Sequence, residues 1–245
     1  MAPAARFQLD PSKIEETVSM LAKRIHERFP KSGLQEVCEH LHGIAAAARK
    51  RAEAIRRPIV SVRIASGLTI AGILVVLGYT LKAAYDATKK QGAEFGAPDV
   101  IQMLEAAINS ALLVGATVLF LITLETRVKR RRALKALHEL RAIAHVIDMH
   151  QLTKDPERAL GIGKDTASSP KRDLSPFELT RYLDYCSEML SLSGKIAAIY
   201  AQDFDDAGVV DAVNDIEDLT TGLSRKIWQK ISVLNERAVK QSAGA

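Results

Sequence analysis

Three positions come closest to a chemical constellation in this chain. His138, His145 and Asp148 are separated by offsets of seven and three, which return to one side of a helix. Two imidazoles and a carboxylate bind a metal when they converge on a point, and a single helix supplies at most part of such a set. Arg141 lies between the histidines, so the stripe reads equally as a solvated polar face or as an interhelical hydrogen-bond network. The segment DFDDAGVVD places Asp203, Asp205 and Gly208 at the first, third and sixth places of a calcium loop. Ala207 and Asn214 then stand where a short polar ligand and a bidentate Glu are needed. An acidic turn capping a helix is the better reading. Gly161, Gly163 and Lys164 imitate a phosphate loop, but Arg158 replaces its leading glycine, Asp165 replaces the magnesium-binding hydroxyl, and no strand precedes it. Neither a nucleophile elbow nor HExxH occurs. The sequence therefore predicts no catalytic residue, no cofactor and no metal, with the histidine stripe as the one candidate set.

The elements that carry these residues are expected to be helical throughout, because Ala, Leu, Ile, Lys, Arg and Glu are abundant and aromatic residues make up 5%. Two runs stand apart. IASGLTIAGILVVLGYTL, residues 64–81, and AAINSALLVGATVLFLITL, residues 106–124, carry no charge, and each approaches the ~20 residues a helix needs to cross a hydrocarbon layer. The reading is an all-α chain in which a two-helix transmembrane hairpin carries a cytoplasmic helical bundle built from the N- and C-terminal segments. Its parts are N-terminal helices over 1–58, a first span over 59–82, a short extracytoplasmic loop over 83–104 and a second span over 105–125. An extension helix over 126–152, a loop over 153–175, a helical hairpin over 176–240 and a tail over 241–245 complete it. The charged stretch 1–57 has no apolar core of its own, so insertion is expected to use the spans themselves.

The 34 basic against 29 acidic residues would suit nucleic acid if the excess lay along an isolated face, but it collects beside the apolar runs instead. Arg56, Arg57 and Arg63 flank the first, and Arg127, Lys129, Arg130, Arg131 and Arg132 follow the second. Cations gather on the cytoplasmic side, so both termini are expected there, in a bacterial inner membrane, with these residues anchored in anionic headgroups and no nucleic-acid partner. Within the second run, Asn109, Ser110, Ala116, Thr117 and Thr123 give one small, polar side. That side could line a pore in an oligomer or pack against another helix, since Ala107, Ala111 and Gly115 permit close approach and Gly67 with Ala71 offers a match in the first run.

Apolar periodicity fills in the bundle. Ile14, Val18, Leu21, Ile25 and Phe29 mark a first helix, and Leu34, Val37, Leu41, Ile44, Ala48, Ala52 and Ile55 a second. Leu134, Leu137, Leu140, Ala144 and Ile147 continue the second span as one helix. Ser175, Pro176 and Glu178 form a capping box for the next, with Leu179, Tyr182, Leu183, Cys186, Met189, Leu190, Ile196 and Tyr200 as its core stripe. Val209, Val213, Ile216, Thr220, Leu223, Ile227, Ile231 and Leu234 alternate threes and fours, a coiled-coil-like seam for the last helix. Cys38 and Cys186 fall in segments expected in the cytoplasm, where thiols stay reduced, form no CxxC pair, and read as buried structural thiols.

LHELRAIAHVIDMHQLTKDPE, residues 137–157, and FELTRYLDYCSEMLSLSGKIAAIYAQ, residues 177–202, resemble segments of an uncharacterised family of bacterial two-span membrane proteins, a resemblance that implies no activity or ligand. The order of elements alone is similar to the SLATT membrane effectors, which implies a pore. The resulting expectation is a non-catalytic, membrane-anchored helical scaffold that self-associates or docks a protein partner through its cytoplasmic helices. The alternative is a small oligomeric ion channel or membrane-permeabilising effector.

Overall fold

A computed structural model describes residues 8–91, 97–161, 166–169 and 174–243. Among the described residues every regular element is an α-helix: α1 Pro11–Arg28, α2 Gly33–Arg56, α3 Val60–Gln91, α4 Ala97–Leu152, α5 Pro156–Ala159, α6 Pro176–Gln202 and α7 Ala207–Ala243. The chain divides into two compact units, one of Met1–Arg56 with Arg130–Ala245 and one of Arg57–Lys129, so the boundary falls inside α4.

In the larger unit, local signals start and stop the helices where the apolar stripes require. Asp10 caps α1 by accepting from the Ser12 N–H at 2.9 Å, with Pro11 in the first position where its missing N–H costs nothing. Lys31 takes the left-handed conformation, φ 60°, and its N–H reaches the Gln35 side chain at 2.9 Å, so the chain turns sharply from α1 into α2. At α6 the capping box closes in both directions: Glu178 N–H donates to the Ser175 hydroxyl at 3.3 Å, and Ser175 N–H donates to Glu178 Oε2 at 2.8 Å.

The stripes then meet in one core. Ile14, Val18, Leu21, Ile25 and Phe29 of the α1 region, Leu34, Val37, Cys38, Leu41 and Ile44 of α2, and the full α7 seam from Val209 to Leu234 are buried. From α4, Ala133, Ala136, Leu137, Leu140, Ile143, Ala144 and Ile147 join them, while Leu134 is only partly covered. Helix α6 sits at the centre, packed by α1, α2, α5 and α7. It is buried more widely than one stripe, with Tyr185, Leu192, Ser193, Gly194, Ala197 and Ile199 enclosed too. A helix covered on several sides loses its amphipathic contrast, which is why periodicity alone finds only part of its contact surface. Each fully buried Leu or Ile contributes about 1.5–3 kcal/mol relative to exposure, so this core is ample for a stable unit.

The smaller unit contains α3 and the first part of α4. On α3 the least exposed positions are Val62, Ser66, Ile70, Ile73 and Leu77; on α4 they are Val114, Val118, Leu121, Leu124, Glu125, Val128 and Lys129. Steps of three and four place each set on one stripe of its own helix. The remaining large apolar side chains point outward: Leu68 is 70% exposed, Val75 71% and Leu113 71%.

Three boundaries differ from the sequence expectation. Helix α3 runs to Gln91 and α4 begins at Ala97, so most of the expected loop over 83–104 is helical. Charge marked that loop, but KAAYDATKKQ is made of good helix formers with no Gly or Pro before Gly92. The loop over 153–175 contains a short helix, α5, which Asp155 caps and the buried Pro156 seats. The last helix continues through Ala243, past the expected end at 240; residues 244–245 of the tail lie outside the described residues.

Candidate functional site

The histidine stripe does not assemble. His138 and His145 are exposed on α4, and Asp148 is turned to its own helix, accepting from Gln151 Nε2 at 2.6 Å. No group of three or more His, Cys, Asp or Glu able to hold a metal ion occurs among the described residues. The imitation phosphate loop is largely out of view, since 162–165 lie outside the described residues; Gly161 ends α5 with φ 74°.

The acidic turn at 203–206 works as a helix cap. Asp206, 5% exposed, accepts from the Val209 N–H at 3.3 Å and so begins α7. Its carboxylate also takes a fork from Arg130, with Nη2 to Oδ2 at 2.7 Å and Nε to Oδ1 and Oδ2 at 2.9 and 2.8 Å. The guanidinium, followed by burial opposing it and the backbone N–H bond, leaves the carboxyl below its ordinary range. Arg130, one of the cations expected at the headgroups, also fastens α4 to the start of α7 through this fork.

Other proposed anchors have protein partners as well. Arg63 Nε donates to Glu125 Oε2 at 2.6 Å and Lys129 Nζ lies 2.9 Å from Glu125 Oε1, while the Ile59 N–H also reaches Glu125 at 3.1 Å. One carboxylate thus ties the start of α3 to α4. Sequence reasoning missed Glu125 as the hub because it read the cations first. Arg127 folds back over the Phe120 ring, 5.2 Å from its centroid, and its Nε approaches the Thr123 hydroxyl at 3.3 Å. Arg56, Arg131 and Arg132 are exposed, as is Arg57.

The small, polar side of α4 lies off its less exposed stripe. Asn109, Ser110, Ala116, Thr117 and Thr123 are all exposed, as are Ala107, Ala111 and Gly115. A Cβ built on Gly67 or Gly115 would meet nothing within 4 Å, so neither glycine lies against a neighbouring helix within one chain. The less exposed stripe of α4 carries branched residues, and the small face is left uncovered. Thr117 donates to the Leu113 carbonyl at 2.8 Å and Thr123 to Leu119 at 3.0 Å, so both hydroxyls are satisfied by their own helix. Asn109 has no such partner among the described residues.

Inside the larger unit the reactive side chains are muted. Cys38 and Cys186 are free and buried, and desolvation pushes both thiols up to about 12. His150 is half-buried over Gly33, with Nδ1 3.4 Å from the Tyr182 hydroxyl; burial and then Lys154 lower its pKa, with Glu36 opposing. Lys230 donates to the carbonyls of Gln151 at 2.7 Å and Lys154 at 3.0 Å, closing the C-terminal end of α4. These contacts order helix ends, and none sets a nucleophile against a base.

Comparison with family models, with curated proteins and with solved structures finds no match, and the functional reading rests on the residues above.

Proposed function

We propose that this chain is a non-catalytic scaffold of a bacterial inner membrane, anchored by α3 and the first part of α4 and self-associating. The carrying observation is the contrast between the units: two helices long and apolar enough to cross a membrane expose their large side chains, while the bundle unit buries its own around one core. In water each such side chain forgoes about 1.5–3 kcal/mol of burial, whereas lipid receives it without loss. The cations flanking the two runs favour both ends on the cytoplasmic side, next to anionic headgroups.

Self-association follows from the uncovered small face of α4. A side-chain amide in hydrocarbon needs a partner, and Asn109 lacks one among the described residues, while the neighbouring Ala107, Ala111 and Gly115 allow a second helix to approach closely. The mass of the full-length protein in native lipid discs tests this. The scaffold reading expects two or more copies, with Asn109→Leu shifting the population toward one; a single copy with no bound protein partner would overturn it.

A small oligomeric channel is the second reading, favoured by the same uncovered face if Asn109, Ser110 and Thr117 meet water. It stands second because Thr117 and Thr123 are already satisfied within their helix and no ring of charge accompanies them. Assemblies of four or more whose ion flux changes on Thr117→Lys would reverse that order.

A further inference from the structure

Between α2 and α4 the larger unit carries a groove of about 330 Å³ lined by Arg51, Ala54, Ile55, Arg132, Lys135, Ala136 and Glu139. Its composition is lopsided. Arg51 comes from one wall, and Arg132 and Lys135, three apart and so on one side of α4, come from the other, over a floor that includes the buried Ile55 and Ala136. The single acid, Glu139, is engaged by Arg51 at 2.7 Å. Neither Arg132 nor Lys135 has a carboxylate partner among the described residues. Three cations therefore face one carboxylate across a concave surface, leaving two positive charges uncompensated. Guanidinium groups present donors in a planar fork that matches phosphate oxygens, and an ammonium adds a movable point charge.

We infer that this groove is a phosphate-binding site, with Arg132 and Lys135 holding the phosphate and the Arg51–Glu139 pair fixing the opposite wall. Chain order points to a lipid headgroup as the source, since Arg51 precedes the first apolar run and Arg132 follows the second closely. That choice of source rests on the membrane reading; the site itself does not. A free phosphate would be recognised by the same groups. Diffuse attraction to a charged surface would not distinguish these cations from others on the same helices, and this is the point at which the groove can be tested.

Full-length protein is extracted from bilayers of phosphatidylcholine with and without phosphatidylglycerol, and retained phosphatidylglycerol is counted by native mass spectrometry. Arg132→Gln with Lys135→Gln is compared with Lys50→Gln with Arg141→Gln, which removes the same charge from exposed residues of the same two helices outside the groove. Retention is expected to fall roughly tenfold in the groove pair and to stay within about twofold in the control pair, beyond what diffuse attraction of equal charge produces. In parallel, inorganic phosphate is titrated calorimetrically into the protein in a maltoside detergent, which carries no phosphate. Groove-dependent lipid retention identifies a headgroup; groove-dependent binding of inorganic phosphate without lipid retention identifies a soluble source. Equal loss in both pairs, or binding in neither assay, overturns the site. If the chain is recovered from water without detergent, the membrane reading fails, and the titration still decides the groove.

Discussion

Asp206 combines two duties that substitution can separate. Its carboxylate caps α7 through the Val209 N–H and receives the Arg130 fork while almost fully enclosed. Asp206→Asn keeps an oxygen for the cap and removes the charge; Asp206→Ala removes both. Loss of a cap costs about 0.5–2 kcal/mol, so the Ala variant should be less stable than the Asn variant by that amount. Both should be less stable than the parent. Arg130→Gln should destabilise the parent and have little further effect beside Asp206→Ala, because its partner is then gone. Urea unfolding of the full chain reports this through Trp228, the one tryptophan, which lies on α7. The pH dependence has a definite sign. A carboxyl whose folded pKa is depressed contributes stability above its unfolded value of about 3.9 and loses it as pH falls through the folded value. The gap between parent and Asp206→Asn should therefore persist near neutrality and close in strong acid. Additivity of Arg130→Gln and Asp206→Ala to within about 0.5 kcal/mol would refute the coupling.

His150 carries the same sign at a higher pH: its folded pKa is lowered, so the unfolded chain takes up the proton first and stability should fall as pH drops through about 6.5. His150→Gln should flatten that dependence in the same urea assay. Gly33→Ala should perturb this region, since the added Cβ would lie 2.6 Å from His150 Cε1 and the ring would have to move; an unchanged His150 NMR resonance would contradict the contact. Leu183→Ala, at the fully enclosed centre of α6, should cost about 2–5 kcal/mol, and a loss well under 1 kcal/mol would show that α6 is not the hub of the core.

Much of the bundle was legible because its signals are local and repeated. The α7 seam and the α6 capping box depend on spacing and on a single Ser-Pro-x-Glu sequence, and both appear where that pattern places them. The breadth of α6 burial was not legible, since small residues such as Gly194 and Ala197 look neutral until a neighbour closes over them. Long-range charge pairing was hidden for a different reason. Arg130 and Asp206 lie 76 positions apart, and a basic cluster beside an apolar run is read as a collar unless the acid it meets is known. The same limit concealed Glu125, the acid that gathers Arg63 and Lys129. The small face of α4 is visible as a pattern of residue types, but its exposure is not, because the less exposed stripe from Val114 to Leu124 lies on another side of the same apolar run.

Two crossings of a bilayer with both ends on one side can be tested directly, because both native thiols are buried. Single cysteines at exposed positions, Lys50→Cys, Lys89→Cys and Asn214→Cys, are labelled with a membrane-impermeant maleimide in intact bacterial spheroplasts and again after lysis. Lys89→Cys should be labelled in intact spheroplasts and the other two only after lysis. Equal labelling of all three before lysis, or protection of Lys89→Cys alone, would contradict it.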